Sequence, residues 1–352
     1  MKALKNLKRN FYISSLPIEK ILMKKNKIKI ICTLGPSSTN KKFLSFANRN
    51  NVSLLRLNMS HLSIDGLKKS IKFIKKHSTI PICIDTEGAQ IRTKVKKNKF
   101  IKLNQIIEIG DSTKDFSLYP ENIKGRLKLN DVLNIGFDNL KVKIIKIKKK
   151  MLCKAISAGK LENNKGVHLE NRKIKIDYLT LKDLKSISVG KKNKIKNFAL
   201  SFTNTISDIT KFTKLLPKEN KIFKIETLNA CKNFKKIIKN ADNFLIDRGD
   251  LSKDVKIENI PIVQRDLFNI KNKLNNKNIY VATNLLESML KNNFPTRGEA
   301  NDIFNSLEMG GNGLVLAAET AIGSHPIASV KFLNQMIKAF KKSKYKNQKY
   351  LR

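Results

Sequence analysis

Eight short apolar runs, separated by basic amphipathic stretches of helical period, set the tightest limit on what this chain can fold into. They fall at 27–34 (KIKIICTL), 53–58 (SLLRLN), 80–86 (IPICIDT), 197–202 (NFALSF), 221–226 (KIFKIE), 244–249 (FLIDRG), 279–284 (IYVATN) and 313–319 (GLVLAAE). Helical patterns such as Ile64–Lys76 and Asn229–Asn240 lie between them. Strands alternating with helices point to an α/β fold, and eight such pairs point to a parallel (β/α)8 TIM barrel.

One gap breaks the rhythm. Between Thr93 and about Lys175 the pattern turns to short β-like runs (QIIEIG, VKIIKIKKK, LCKAIS) punctuated by Gly110, Gly136 and Gly159. This predicts a small β-rich domain inserted after the third barrel strand, over 94–175, acting as a lid on the barrel mouth. The barrel is then 27–93 and 176–345, with a basic N-terminal extension at 1–26 and a tail at 346–352.

At 352 residues and 41% hydrophobic content the chain can bury a large core, which excludes wholesale disorder. Lys and Arg outnumber Asp and Glu by 72 to 28, a net charge of +44. Such an excess would suit nucleic acid or an anionic membrane. Here, however, it is Lys scattered along the whole chain together with abundant Asn and Ile, so the simpler reading is compositional and a nucleic-acid partner is not expected. Cys32, Cys83, Cys153 and Cys231 are isolated, with no C-x-x-C pair, which fits reduced thiols and a cytoplasmic location. No run approaches the length that spans a bilayer and no secretory leader is visible, while organelle targeting by the basic N-terminus stays open.

In a barrel of this kind the chemistry sits at the C-terminal ends of the strands. Those ends carry Arg56, Asn58, Asp85, Thr86, Ser201, Lys224, Glu226, Asp250, Thr283, Glu319 and Thr320. Charged residues are seldom buried unpaired, so this ring is not what chance placement produces. Lys224 and Glu226 share one face of a strand, and Asp250 follows the next apolar run. Two carboxylates at successive strand ends suit a divalent metal, with the lysine beside them for a phosphate. Taken singly, Lys224–Glu226 also reads as an ion pair, Asp250 as a helix cap and Asn58/Ser60/Asp85 as a turn network.

Ten stretches in order carry a resemblance: IICTLGPSS (30–38), LLRLNMSH (54–61), IDTEGAQIRT (84–93), KGVHL (165–169), LTLKD (179–183), FKIET (223–227), DRGDL (247–251), ATNLLESM (282–289), PTRGEANDI (295–303) and AAETAIGSHP (317–326). They resemble the pyruvate kinase family. The resemblance implies transfer of the phosphoryl group of phosphoenolpyruvate to ADP, giving pyruvate and ATP in glycolysis. By the same likeness, Glu226 and Asp250 hold Mg2+ (or Mn2+), and Lys224, Arg56 and Thr283 serve catalysis. Substrate would be bound by Arg56, Lys224, Thr283 and the amides of Gly249 and Asp250. Arg92, Lys165 and His61 would meet the nucleotide, with a plain surface role equally open for His61. Asn58, Ser60, Asp85 and the Thr86 carbonyl would hold K+.

Departures from the family pattern set further expectations. Glu87 stands where the family has Lys, a charge reversal near the phosphates, and Gln90 replaces a Glu linked with K+ dependence. Ala317-Ala318 loses a Ser hydroxyl, Asn284 replaces Gln, and His168 and Glu170 replace Asn and Pro. The chain stops at Arg352, so the family's C-terminal effector domain and its control are not expected, and a homo-oligomer stays open. Two rivals remain at this stage. One is a non-catalytic relative that binds metabolite or RNA; the other is a related Mg2+-dependent enzyme acting on a different enol-phosphate or 2-oxo acid.

Overall fold

A computed structural model of the chain describes residues 28–88, 90–110, 114–136, 140–170, 172, 174 and 176–345. The N-terminal extension at 1–26 and the tail at 346–352 lie outside the described residues.

Eight parallel strands close into a barrel: β1 (Lys29–Thr33), β2 (Val52–Asn58), β3 (Ile82–Asp85), β4 (Asn197–Leu200), β5 (Asn220–Ile225), β6 (Asn243–Asp247), β7 (Asn278–Ala282) and β8 (Gly313–Leu316). Each pairs with its sequence neighbour and β1 pairs with β8, in register from Lys29↔Gly313 to Cys32↔Leu316. The helices that follow are α1 (Lys41–Arg49), α2 (Ile64–His77), α3 (Leu181–Lys192), α4 (Ile206–Leu215), α5 (Leu228–Ile237), α6 (Ile260–Asn272), α7 (Arg297–Glu308) and α8 (Pro326–Tyr345). Their starts are written locally. Asn40, Ser63 and Thr227 accept from first-turn amides, and Thr180, Thr205 and Thr296 form capping boxes with Asp183, Asp208 and Glu299.

Several strands stop short of their apolar runs, and two of them give way at once to a helical turn. After Asp247 the chain turns into a single helical turn, Arg248–Leu251, and after β8 into another, Ala318–Ala321. At the second, the buried Glu319 carboxylate accepts the amides of Leu286 (3.1 Å) and Ala317 (2.8 Å), tying the loops after β7 and β8 together.

The pleat of each strand divides its side chains between two cores. Ile31, Leu54, Cys83, Ala199, Ile222, Leu245, Tyr280 and Val315 point inward and fill the barrel. Their neighbours, such as Cys32, Leu55, Ile84, Phe223, Phe244 and Ile246, pack outward against the helices. Phe244 sits 5.4 Å from Phe234 edge to face and 6.2 Å from Phe223. Cys32 and Cys83 are buried free thiols whose pKa burial raises, so they act here as apolar packing.

The β-rich insertion leaves the barrel after β3. Ile91–Lys94 already belongs to a seven-stranded antiparallel sheet, ordered Ile106–Ile109, Met151–Ala155, Leu140–Ile147, Val132–Ile135, Gly166–Leu169, Ile91–Lys94, Ser117–Tyr119. It has its own core around Ile107, Leu133, Leu140, Val142 and Cys153. The exit is pinned by the first turn of α3, where Asp183 accepts the amides of Glu87 (2.8 Å) and Gly88 (3.1 Å).

Phe244→Ala is expected to lower the unfolding free energy by about 3–5 kcal/mol in chemical denaturation, because the ring leaves a cavity between barrel and helices. Phe294→Ala, at a side chain that is 78% exposed, is expected to shift it by no more than about 0.5 kcal/mol.

Candidate active site

On six of the eight strands, following the inward face two residues towards the C-terminal end converts the apolar plug into a polar and charged layer. Ile31, Leu54, Cys83, Ala199, Ile222 and Leu245 give way to Thr33, Arg56, Asp85, Ser201, Lys224 and Asp247, and Glu226 follows two residues beyond Lys224.

Lys224 is the hub of that layer. Its Nζ lies 2.7 Å from Glu226 Oε1, 3.4 Å from both Asp85 Oδ2 and Asp247 Oδ2, and 3.2 Å from Ser201 Oγ. Burial works towards a neutral amine, but Asp85, Glu226 and Asp247 outweigh it and hold the pKa well above the ordinary lysine value. Arg56 donates Nε and Nη2 to Asp85 Oδ2 at 2.8 and 2.6 Å, and Nη1 to Thr33 Oγ1 at 3.2 Å.

The carboxylates differ in state. Burial pushes Glu226 up to about 8, with Asp250 and Asp247 adding to the effect and Lys224 opposing it. Burial acts the same way on Asp247, but Lys224, Arg56 and the Thr283 hydroxyl hold it at about 2. Glu226 Oε2 accepts the Phe202 amide at 2.6 Å; Oε1 touches Lys224 as an ion pair yet lacks a hydrogen bond of good geometry. Against two buried cations, Lys224 and Arg56, stand three buried carboxylates, Asp85, Glu226 and Asp247.

Asp250, one turn beyond β6, completes a trio. Oxygens of Glu226, Asp247 and Asp250 all lie within 4.8 Å of one another. Hard oxygen donors at that spacing, with an unsatisfied Glu226 oxygen, fit a divalent cation such as Mg2+ or Mn2+. Asp250 also meets Lys253, whose Nζ is 2.5 Å from its Oδ1.

Beside the trio, Thr283 has φ +78° and Asn284 φ +56°, a left-handed pair that a β-branched residue adopts only under constraint. Arg248 supplies the constraint, donating Nε and Nη2 to the Thr283 carbonyl at 3.2 and 2.7 Å while Nη1 pairs with Asp302 at 2.7 Å. The Thr283 hydroxyl donates to Asp247 Oδ1 at 2.6 Å. Gly249 permits this approach, since a Cβ there would come within 2.7 Å of Thr283 Cγ2.

The remaining expected residues divide. Arg92, on the insertion, donates to Ser60 Oγ at 3.1 Å and to the Asn164 carbonyl at 3.3 Å, bridging to the loop after β2. His61 is on the same loop, its pKa lowered by burial and by Arg92, Arg56 and Lys182. Lys165 turns its ammonium to Glu162 at 2.8 Å. In the Asn58, Ser60, Asp85 and Thr86 corner each oxygen already has a protein partner. Asn58 Oδ1 accepts the Ser60 amide, Ser60 Oγ accepts Arg92, Asp85 holds Arg56, and the Thr86 carbonyl accepts Ser201 Oγ at 2.7 Å.

Glu87, the charge reversal, is buried and neutralised. It accepts Thr180 Oγ1 at 2.7 Å and Tyr119 Oη at 2.8 Å, and pairs with Lys182 at 3.0 Å. Sequence reasoning also left Asp247, Arg248 and Lys253 without roles. The inward face of β6 was the available signal for Asp247, because Leu245 and Asp247 are two residues apart.

Glu226 makes a pH-dependent contribution to stability. Its pKa rises on folding from the usual 4.5 to about 8, so the folded state binds more protons between these values and loses stability as pH rises through them. In metal-free buffer the melting temperature of the unmodified protein is therefore expected to fall from pH 5 to 8 relative to that of Glu226→Gln.

Residues 25–330 match the family model described as pyruvate kinase, barrel domain. A pyruvate kinase of Staphylococcus saprophyticus is 34% identical over 337 residues, which cover 88% of this chain and 56% of the relative. That of Thermotoga maritima is 30% identical over 331 residues, covering 89% and 71%, and that of Methanocaldococcus jannaschii 32% over 319, covering 89% and 69%. The chain thus spans little more than half the length of the staphylococcal relative. A closed barrel with its insertion after β3, charged strand ends and a match over most of its length together establish that the chain belongs to the pyruvate kinase barrel-domain family.

Proposed function

We propose that this protein is a phosphotransferase that moves the phosphoryl group of phosphoenolpyruvate to ADP, yielding pyruvate and ATP. The observation that carries the reading is the buried Lys224 ammonium set against Glu226, Asp247 and Asp250 at the open end of the barrel.

Phosphoryl transfer asks little covalent chemistry of a protein; it asks for positioning and for fixed charge where negative charge moves. Lys224 supplies such a charge, and its strand and carboxylate partners keep it protonated and immobile across the physiological range. Arg56 stands beside it as a second phosphate contact, oriented by Asp85 and Thr33. Glu226 and Asp250 would hold the divalent ion, with Asp247 at the same point. When bound, that ion adds positive charge to offset the phosphoryl oxygens. The amides of Gly249 and Asp250 open the one-turn helix Arg248–Leu251 and have no helical acceptor of their own, which suits a substrate carboxylate. Thr283 holds a hydroxyl beside them.

Arg92, His61 and Lys165 form the nucleotide side, with Arg92 and Lys165 carried by the insertion. Lys165 would leave Glu162 to reach a phosphate. Closure of the insertion as a lid would keep water from the phosphoryl group in transit. A monovalent cation such as K+ at Asn58, Ser60, Asp85 and Thr86 would share or displace hydrogen bonds already made there. Glu87 does not argue against nucleotide binding, because Lys182 offsets it.

A coupled assay with phosphoenolpyruvate, ADP, Mg2+ and K+ is expected to register pyruvate formation. No turnover, with salt-sensitive RNA binding in its place, would favour a non-catalytic descendant. Lys224→Met is expected to lower turnover by at least about 10³-fold. It is also expected to lower stability by about 3–5 kcal/mol, since it strands buried carboxylates. The rate is therefore to be read below the variant's own melting temperature, and an undiminished rate there removes Lys224 from the mechanism.

A further inference from the structure

Lys253 stands three residues beyond Asp250, where the chain continues past the one-turn helix. Its amide donates to the Asp250 carbonyl at 3.2 Å and its Nζ reaches Asp250 Oδ1 at 2.5 Å. The lysine side chain is only 9% exposed and that of Asp250 24%. An ammonium at that depth has given up most of its water and needs an anionic partner.

The other side of Lys253 faces the root of the insertion. A Cβ built on Gly166 would lie 3.1 Å from Lys253 Nζ and 2.7 Å from Gln90 Nε2, so both groups reach one point above that glycine. Gln90 is 4% exposed, and neither its Oε1 nor its Nε2 has a hydrogen-bond partner. Lys224, by contrast, grows from a barrel strand and shares its charge among three carboxylates.

We propose that Lys253 is an internal counter-cation of the metal site. It neutralises Asp250 in the metal-free protein and competes with a divalent ion for that carboxylate. Once displaced, it turns towards the root of the insertion beside Gly166. The proposal rests on Glu226, Asp247 and Asp250 being the metal site. Two cations cannot occupy the same Asp250 oxygen at contact distance without strong repulsion, so each must weaken the other's hold.

The experiment is titration of the full chain with Mn2+ alone, following free Mn2+ by electron paramagnetic resonance, with no substrate present. Lys253→Met is expected to bind Mn2+ about tenfold more tightly than the unmodified protein, the scale of one charged hydrogen bond. Lys253→Arg, which keeps the charge, is expected to stay near the unmodified value. In an Asp250→Asn background, Lys253→Met is expected to have no effect. Circular dichroism and melting temperature establish that each variant is folded, and Lys253→Gln replaces Lys253→Met if the latter is not. Unchanged or weaker binding by the folded charge-removing variant overturns the proposal while leaving the metal site standing. So does tightening that survives in the Asp250→Asn background. If the unmodified protein takes no Mn2+, or takes it equally well as Glu226→Gln, the metal-site reading falls and the proposal with it.

Discussion

A protonated amine with its side chain 4% exposed is the constraint to which the rest of the barrel mouth answers. Left alone, Lys224 would lose its proton or unfold its surroundings, because the interior cannot solvate an ammonium. Glu226, Asp85 and Asp247, from three strand ends, supply the compensating charge. These acids then need more than Lys224 can give, which brings in Arg56 on Asp85 and the Thr283 hydroxyl on Asp247, and leaves Glu226 inclined to keep a proton. The same arrangement that stabilises one cation thus creates a site for another.

Such a cluster stays assembled only if its scaffold is stiff. Closed pairing of eight strands and an apolar plug directly beneath the charged layer provide that stiffness, since the plug leaves no room for the lysine to retreat. Loops carry the remaining parts and are fixed by polar clamps: Arg248 on the strained Thr283 carbonyl, Glu319 across the last two loops, Asp183 on the exit to the insertion. Asp183 joins the two crossings between barrel and insertion, because it belongs to the turn where the chain returns and holds the amides where it leaves.

Glu87 illustrates how a local substitution is judged only with its neighbours. Read along the chain it places a negative charge where phosphates would come. In space it is enclosed by Thr180, Tyr119 and Lys182, and its charge is matched by a lysine ninety-five residues away in sequence. The corner of Asn58, Ser60, Asp85 and Thr86 carries the opposite lesson: oxygens that read as cation ligands are also good acceptors for Arg92, Arg56 and Ser201.

The sequence by itself determined the barrel, because eight apolar runs alternating with helical periods leave few other ways to bury them, and their pleat sends alternate side chains to plug and to helices. It also marked the insertion and the Lys224–Glu226–Asp250 set, which are local patterns or strand-end positions. Tertiary structure alone decided which charges meet. Asp85, Asp247 and Lys224 come from different strands, and Lys182 reaches Glu87 across the exit to the insertion. No spacing along the chain encodes those distances, since barrel closure and the angle of each loop set them.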